Sequence, residues 1–365
     1  FNTGIVIFVL DDWDRRRSAW TIMEDVRGRL AGLPGVRAFP VMRQGFGASI
    51  QKPLQFVIGG GTYAELAQWR DILLERIAAD NPGLVYCSIT AYGQSGSRAS
   101  KPGYDAMIQA SGGLMSVTGE PDGGPQKVGV AIADIMAGMY ASTAILAALT
   151  ARHETGEGQH IDVPLYDCQV AWLANQNMNY LIGGMLPGRL GTGHPNLVPY
   201  QAFATADGHL MLAVGNDRQF VDCMNCLELA ALATDERFAT NAGRVAHRDE
   251  LVARMAAAFG ARETAHWLSV LDGAGVPAGP INSIEDVFSD DYASERELVR
   301  PVAHPLAGEL PTVANPVGFS ATPVTYRVAP PLLGEHTRDI LATELGMQAD
   351  DIDELVSAGV VQGRA

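Results

Sequence analysis

Alternating apolar residues at Val128, Val130 and Ile132 predict a short strand, and the run from Ile135 to Arg152 carries the spacing of a long helix. A polar turn, His153 to Gly158, separates that helix from a second strand, Gln159 to Leu165, and a second helix opens at Tyr166 and continues through Asn175 to Leu186. Upstream, Val85 to Thr90 reads as a buried strand, Tyr92 to Gly96 as a turn, and Gly103-Tyr104-Asp105 as the opening of a helix that reaches Gly112. Downstream come a strand at His209–Val214, a helix from Arg218, an extended stretch from Val313 to Tyr326, and two tail helices around the acidic turn Asp350–Asp353. The first eighty residues have a different rhythm: strand Gly4–Leu10, amphipathic helix Arg17–Leu33, strand Leu54–Ile58 and helix Thr62–Ala79, with Thr62 at its cap and Glu65 in capping-box position. That order is a small βαβα unit, and the fold class for the whole chain is α/β.

At 365 residues the chain exceeds the usual size of one core, so two or more domains are expected. The 41 acidic against 26 basic residues, a net charge of −15, argue against nucleic acid and anionic membrane surfaces as partners. A local basic pocket could still hold an anionic ligand. No apolar run is expected to span a membrane and the N-terminus lacks the form of a signal peptide, which points to the cytoplasm. The chain opens on Phe1, not Met, as a fragment would. Four cysteines, Cys87, Cys168, Cys223 and Cys226, are too scattered for a disulfide framework. Cys223 and Cys226 form a CxxC with no second pair beside it, so two thiols on a helix face are the expectation, with no metal.

The chemistry gathers at Asp134, the junction of the predicted strand and helix. An aspartate there caps the first helical N–H groups, and the helix dipole favours its ionised form. The helix behind it is rich in small residues, Ala137, Gly138, Ala141, Ser142, Ala144, Ala147 and Ala148, which let other backbone approach. Gly59, Gly60 and Gly61 follow a strand and precede a helix, where backbone N–H groups can cradle a phosphate, but their spacing fits neither the dinucleotide nor the P-loop pattern. A tight turn is the simpler reading.

The segments YCSITAYGQSG, KPGYDAMIQASGGLMSVTG, VGVAIAD and TGEGQHIDVPLYD, in this order, resemble the class III CoA-transferases of the formyl-CoA and carnitine type, from about Val85 to the C-terminus. The resemblance implies that Asp134 is the nucleophile and that CoA passes from an acyl-CoA to a small carboxylic acid through an aspartyl anhydride and an aspartyl-CoA thioester. It implies acyl-CoA as a substrate with no permanently bound cofactor, and an interlocked homodimer. Tyr104 would lie against the CoA. Racemases of the same fold carry a histidine there, because exchanging a proton at carbon needs a group titrating near neutrality, so Tyr104 favours transfer. Gly191, Gly193 and His194, in RLGTGHPNLVPYQAF, would line the substrate pocket, although a histidine beside Pro195 also suits a structural hydrogen bond.

Residues 1–84 instead resemble, through FNTGIVIFVLDDWDRRRSAW, GFGASIQKPLQFVIGGGTYAEL and WRDILLERIAADNPGL, the porter domain of a resistance–nodulation–division efflux pump. The expected organisation is therefore chimeric: a porter-like βαβα segment over 1–84, joined at Asn81–Leu84 to a transferase that lacks its N-terminal nucleotide-binding half. Its large-domain part would run over 85–202, a small α/β domain over 203–324 and a C-terminal return over 325–365. The alternatives are an acyl-CoA racemase and a non-catalytic chimeric fragment.

Overall fold

In the computed structural model the described residues are 3–9, 37–42, 53–59, 72, 75 and 79–363. A five-stranded sheet, ordered β2-β3-β1-β4-β5, contains β1 (Thr3–Val9), β2 (Arg37–Met42), β3 (Pro53–Gly59), β4 (Tyr86–Thr90) and β5 (His160–Pro164). Strands β1 to β3 pair antiparallel, β4 and β5 pair in parallel from Tyr86 opposite His160 to Thr90 opposite Pro164, and Phe8 opposite Tyr86 joins the two halves. Strands β1 and β3 lie where the pattern placed them, whereas β2 was not expected. The helix expected at Arg17–Leu33 and the glycines Gly60 and Gly61 lie outside the described residues; Gly59 ends β3.

Parallel neighbours need a long crossover. Between β4 and β5 it is built from α1 (Asp105–Ser111), a single turn at Leu114–Val117, and α2 (Ile132–Thr155). The strand expected at Val128–Ile132 does not form. Val128 gives its N–H to the Gln109 side chain and Ile132 has already joined the helix, so α2 starts two residues before Asp134. At its other end α2 stops at Gly156, whose φ of 77° and N–H bond to Arg152 O at 2.8 Å are those of a left-handed C-cap. Ala133, Ala137, Ala141 and Ala148 put one face of α2 into the core, against β4, β5 and α3 (Leu165–Trp172).

By length and composition α2 could cross a membrane, with a hydropathy of 1.6, contrary to the expectation that no run would reach that limit. Only 22% of that apolar stretch is buried within the described residues, on the alanine face that meets β4, β5 and α3. The single helix expected from Tyr166 to Leu186 is two: α3 and α4 (Asn175–Leu181), broken at Ala174 with φ 48°. Asn177 Nδ2 covers the end of α3 by donating to Val170 O at 2.5 Å, a local bond that competes with helix continuation.

The turn Asn81–Leu84 is built into this layer. Gly158 N–H donates to Pro82 O at 2.8 Å and Arg152 Nη1 to Gly83 O at 3.0 Å. A Cβ on Gly158 would lie 1.9 Å from Leu84 O, so only glycine permits the approach.

The small domain has its own core. A three-stranded antiparallel sheet of β6 (Tyr200–Ala204), β7 (His209–Ala213) and β8 (Ala278–Pro280) is covered by α5 (Asp217–Cys226), α6 (Asn241–Ala246), α7 (Arg248–Phe259) and α8 (Thr264–Gly273). Strand β6 straddles the 202–203 boundary drawn from the sequence. Phe203, Phe220, Phe238, Met255, Phe259 and Trp267 are buried between these layers. A hairpin, β9 (Val299–His304) with β10 (Gly308–Val313), ends where the expected extended stretch begins, and residues 314–326 form no strand. Helices Thr337–Leu345 and Ala349–Ser357 form the expected tail.

Candidate active site

Asp134 sits in the first turn of α2, two residues inside the helix and not at its cap, which is Ala131. The capping is done from another element. Asp105, in the first turn of α1, accepts the Ala133 N–H on Oδ1 at 2.8 Å, satisfying a helical donor that has no partner within the helix. Its other oxygen, Oδ2, accepts from Gln109 Nε2 at 2.7 Å, one turn along α1. Gln109 Oε1 in turn accepts the Val128 N–H at 2.8 Å. The start of the helix carrying Asp134 is thus pinned to α1 by two side chains.

This changes the electrostatics expected of Asp134. The residue is exposed, yet partial burial of its carboxyl, and then the charge of Asp105, raise its pKa above the ordinary carboxylate value. The helix dipole alone would have the opposite effect. The Asp134 carboxyl therefore holds its proton to higher pH than a free aspartate does.

Tyr104 occupies the N-cap position of α1, 80% exposed and with no side-chain cap bond. The Asp105–Ala133 bond brings this helix start to that of α2. Gly191 lies on a loop that docks on the segment preceding α2: its N–H donates to Gly119 O at 2.9 Å, and Arg189 donates to Glu120 O at 3.2 Å and to Gly123 O at 2.8 Å. With φ of 58°, in the left-handed region, position 191 favours glycine. Gly193 closes a turn onto Leu190 O at 2.8 Å.

His194 faces the small domain. Its Nδ1 accepts the Asn196 N–H at 3.0 Å, its ring lies 5.2 Å from that of Tyr200, and Arg248 Nη2 donates to its carbonyl at 2.7 Å. Burial and then the Arg248 charge lower its pKa, holding the imidazole neutral with the remaining proton on Nε2. Asn196 links the two domains: its side chain bonds Asn175 and Asn179 of α4, and its carbonyl accepts from Asn241 Nδ2 at 2.8 Å.

Asp105, Gln109, Arg189, Asn196 and Arg248 were not singled out from the sequence. The one signal available was the spacing of Asp105 and Gln109, a polar pair four residues apart on an otherwise apolar helical turn. Cys223 and Cys226 lie on α5 as unpaired thiols, Cys223 fully buried and pushed far above the usual thiol range by that burial. Among the described residues no group of three or more His, Cys, Asp or Glu side chains is arranged to hold a metal.

Comparison with known proteins gives this geometry its context. The family model described as CoA-transferase family III matches residues 65–337 and so reaches into the segment assigned above to an efflux-pump fragment. The succinate–glutarate CoA-transferase of Agrobacterium fabrum is 48% identical over 273 residues, 73% of this chain and 67% of that protein. The succinyl-CoA:glutarate CoA-transferase of Mus musculus is 42% identical over 281 residues, 77% of this chain and 64% of that protein. A crystal structure of a CaiB/BaiF family protein from Brucella suis superposes with a TM-score of 0.63 at 44% identity, covering 74% of this chain and 70% of that one. The chain spans about two thirds of the length of these curated relatives. None of these matches lends support to a porter-domain fragment in residues 1–84.

Proposed function

The chain belongs to CoA-transferase family III, and we propose that it moves CoA between an acyl-CoA and a small carboxylic acid with Asp134 as the covalent nucleophile. The observation that carries this reading is the Asp134 carboxylate on the first turn of α2, exposed, on a helix start capped by Asp105 of α1. The relatives named above act on succinate and glutarate, and a further relative from Acetobacter aceti, 36% identical, is an acetyl-CoA:oxalate CoA-transferase. A short dicarboxylic acid is accordingly the acceptor to try first.

In the reaction, an Asp134 oxygen attacks the thioester carbonyl, and the C–S bond breaks to give a mixed anhydride and CoA thiolate. The thiolate attacks the aspartyl carbonyl of that anhydride, releasing the first acid as its carboxylate and leaving an Asp134–CoA thioester. The acceptor carboxylate attacks this thioester, freeing thiolate and forming a second anhydride. Attack of the thiolate on the acceptor's acyl carbon regenerates the Asp134 carboxylate. Well-oriented placement of such partners contributes on the order of 7–11 kcal/mol. No acid–base group titrating near neutrality is needed, which suits Tyr104 and disfavours a racemase.

The second face of α2 supports a homodimer. Ile135, Met139 and Leu146 are exposed on it, an apolar stripe that a monomer leaves in water. A cytoplasmic location is proposed with it, on the sequence reading.

The test is to incubate the chain with succinyl-CoA, trap with hydroxylamine and map the adduct by mass spectrometry. Modification of the peptide containing Asp134, lost in Asp134→Ala, supports the reading. Adduct formation that survives Asp134→Ala refutes it.

A further inference from the structure

We propose that Gln109 is a positioning residue for the Asp134 carboxylate, fixing the start of α2 in the arrangement that presents it. The proposal rests on the reading of Asp134 as the nucleophile. Gln109 is fully buried in the helix DAMIQAS, where leucine or methionine would fill the same volume. A buried amide is costly unless its donors and acceptor are used, and here both ends are used.

The two ends do different work. Oε1 accepts the Val128 N–H at 2.8 Å and Nε2 lies 3.5 Å from Val130 O, so the amide stands in for a strand neighbour that residues 128–130 lack. Nε2 also donates to Asp105 Oδ2 at 2.7 Å, which turns Oδ1 of the same carboxylate onto the Ala133 N–H at 2.8 Å. Ala133 immediately precedes Asp134. One side chain therefore sets both the path of the chain into α2 and the carboxylate that caps it. Without the amide, Asp105 loses one of its two restraints, and the loop ahead of the nucleophile loses its anchor. Gln109 touches none of the reacting atoms, so its effect reaches them through the direction of α2 and the field of Asp105.

The experiment uses the full chain and two variants. Gln109→Met keeps the volume and removes both hydrogen-bonding ends. Hydrogen exchange read by mass spectrometry should then speed up ten-fold or more in peptides carrying Val128 and Ala133, with peptides from β7 and α7 unchanged. Acylation of Asp134 by succinyl-CoA should slow about 10–100-fold, with the half-saturating concentration of succinyl-CoA unchanged within about two-fold.

Gln109→Glu keeps an acceptor for Val128 but sets a second carboxyl against Asp105. Buried against Asp105, that carboxyl is held protonated at low pH and can still donate to it, so exchange and acylation there should lie nearer the unsubstituted chain than in Gln109→Met. A merely space-filling role would make Gln109→Met the milder change. Wild-type exchange and rate in both variants would overturn the proposal. If the unsubstituted chain is never acylated at Asp134, the nucleophile reading fails. Exchange at Val128 and Ala133 then decides on Gln109 alone, and equal exchange in the unsubstituted chain and Gln109→Met rules against it.

Discussion

The small domain and the layer that carries Asp134 differ in how completely each buries itself. In the small domain, aromatic and aliphatic side chains from both the sheet and its helices meet in one cluster, with Leu210, Leu212, Phe238, Leu251, Met255 and Phe259 at 0% exposure. Even its buried cation is satisfied. Arg244 donates to Val198 O at 2.7 Å and Phe238 O at 3.0 Å, pairs with Asp217 at 2.8 Å, and lies over the Phe220 ring.

Around Asp134 the core is thin, built mostly on the alanines of α2 with Ile108, Val163, Leu165 and Cys168. The buried side-chain atoms that lack a partner among the described residues follow the same division. Gln94 Oε1, Gln169 Oε1, Trp172 Nε1 and Gln176 Oε1 fall in this layer, Arg338 Nε falls on the first tail helix, and none falls in the small domain. A domain that closes on itself needs nothing further. The layer around Asp134 keeps an apolar stripe outward and unpaired polar atoms inward.

The largest expected effect tests whether the small domain is as self-sufficient as its core. The Phe259 ring packs 4.8 Å from Phe203 and 5.3 Å from Trp267, and its carbonyl accepts the Trp267 Nε1–H at 2.8 Å. Phe259→Ala should destabilise the small domain by about 3–5 kcal/mol. Its thermal transition should fall steeply while protection of the β4 and β5 amides is retained. Equal losses in both regions would show a single cooperative unit and break the comparison.

A smaller loss is expected on the other side. A Cβ at Gly112 would lie 2.2 Å from Gln169 Nε2 and 2.9 Å from Ile108 O, displacing an amide that donates to that same carbonyl at 2.9 Å. Gly112→Ala should cost about 1–3 kcal/mol, read as a lower denaturant midpoint, and should loosen α1 without disturbing the small-domain transition.

How much of this was legible in the sequence follows from the range of each interaction. The α2 helix, its small-residue character, strands β4, β5 and β7 and the two tail helices all follow from local periodicity. So does Asp134 as a helix-start residue. Its exact position was missed because the cap comes from Asp105, twenty-eight positions earlier, and no local pattern reports a cap supplied by another helix. The break at Ala174 was hidden for a related reason: the spacing continues across it, while Asn177 and the Asn196 cluster divert the polar bonds. The edge strand β2 belongs to the sheet through register with β3, which a six-residue run containing Pro40 does not announce.

The exposed stripe on α2 gives a sharper contrast. Met139 and Leu146 are 61% and 66% exposed, so Met139→Ser with Leu146→Ser should change the stability of an isolated chain by less than about 0.5 kcal/mol. The same pair should weaken self-association measured by sedimentation. A large drop in monomer stability would mean that the stripe is already covered within the chain.

The smallest effect sets one carboxyl in each region against the other through pH. Asp235, in the small domain, is held down to about 2 by hydrogen bonds from the Arg237 guanidinium and backbone N–H. A lowered folded pKa stabilises the fold above the ordinary carboxylate range, and that contribution is lost as pH falls from about 4 toward 2. Asp134 is shifted the other way, upward, by partial burial and Asp105. Its contribution is fully present at low pH and is lost as pH rises through its raised value. Asp235→Asn should therefore lower Tm at pH 6 and converge with the unsubstituted chain near pH 2. Asp134→Asn should raise Tm slightly at pH 6 and make no difference at pH 3. Both carboxyls meet solvent, so screening keeps these shifts to small differences between melting curves measured side by side. Parallel pH dependence in the two variants would show that the Asp134 helix start is as well compensated as the small domain, and the contrast between the regions would be lost.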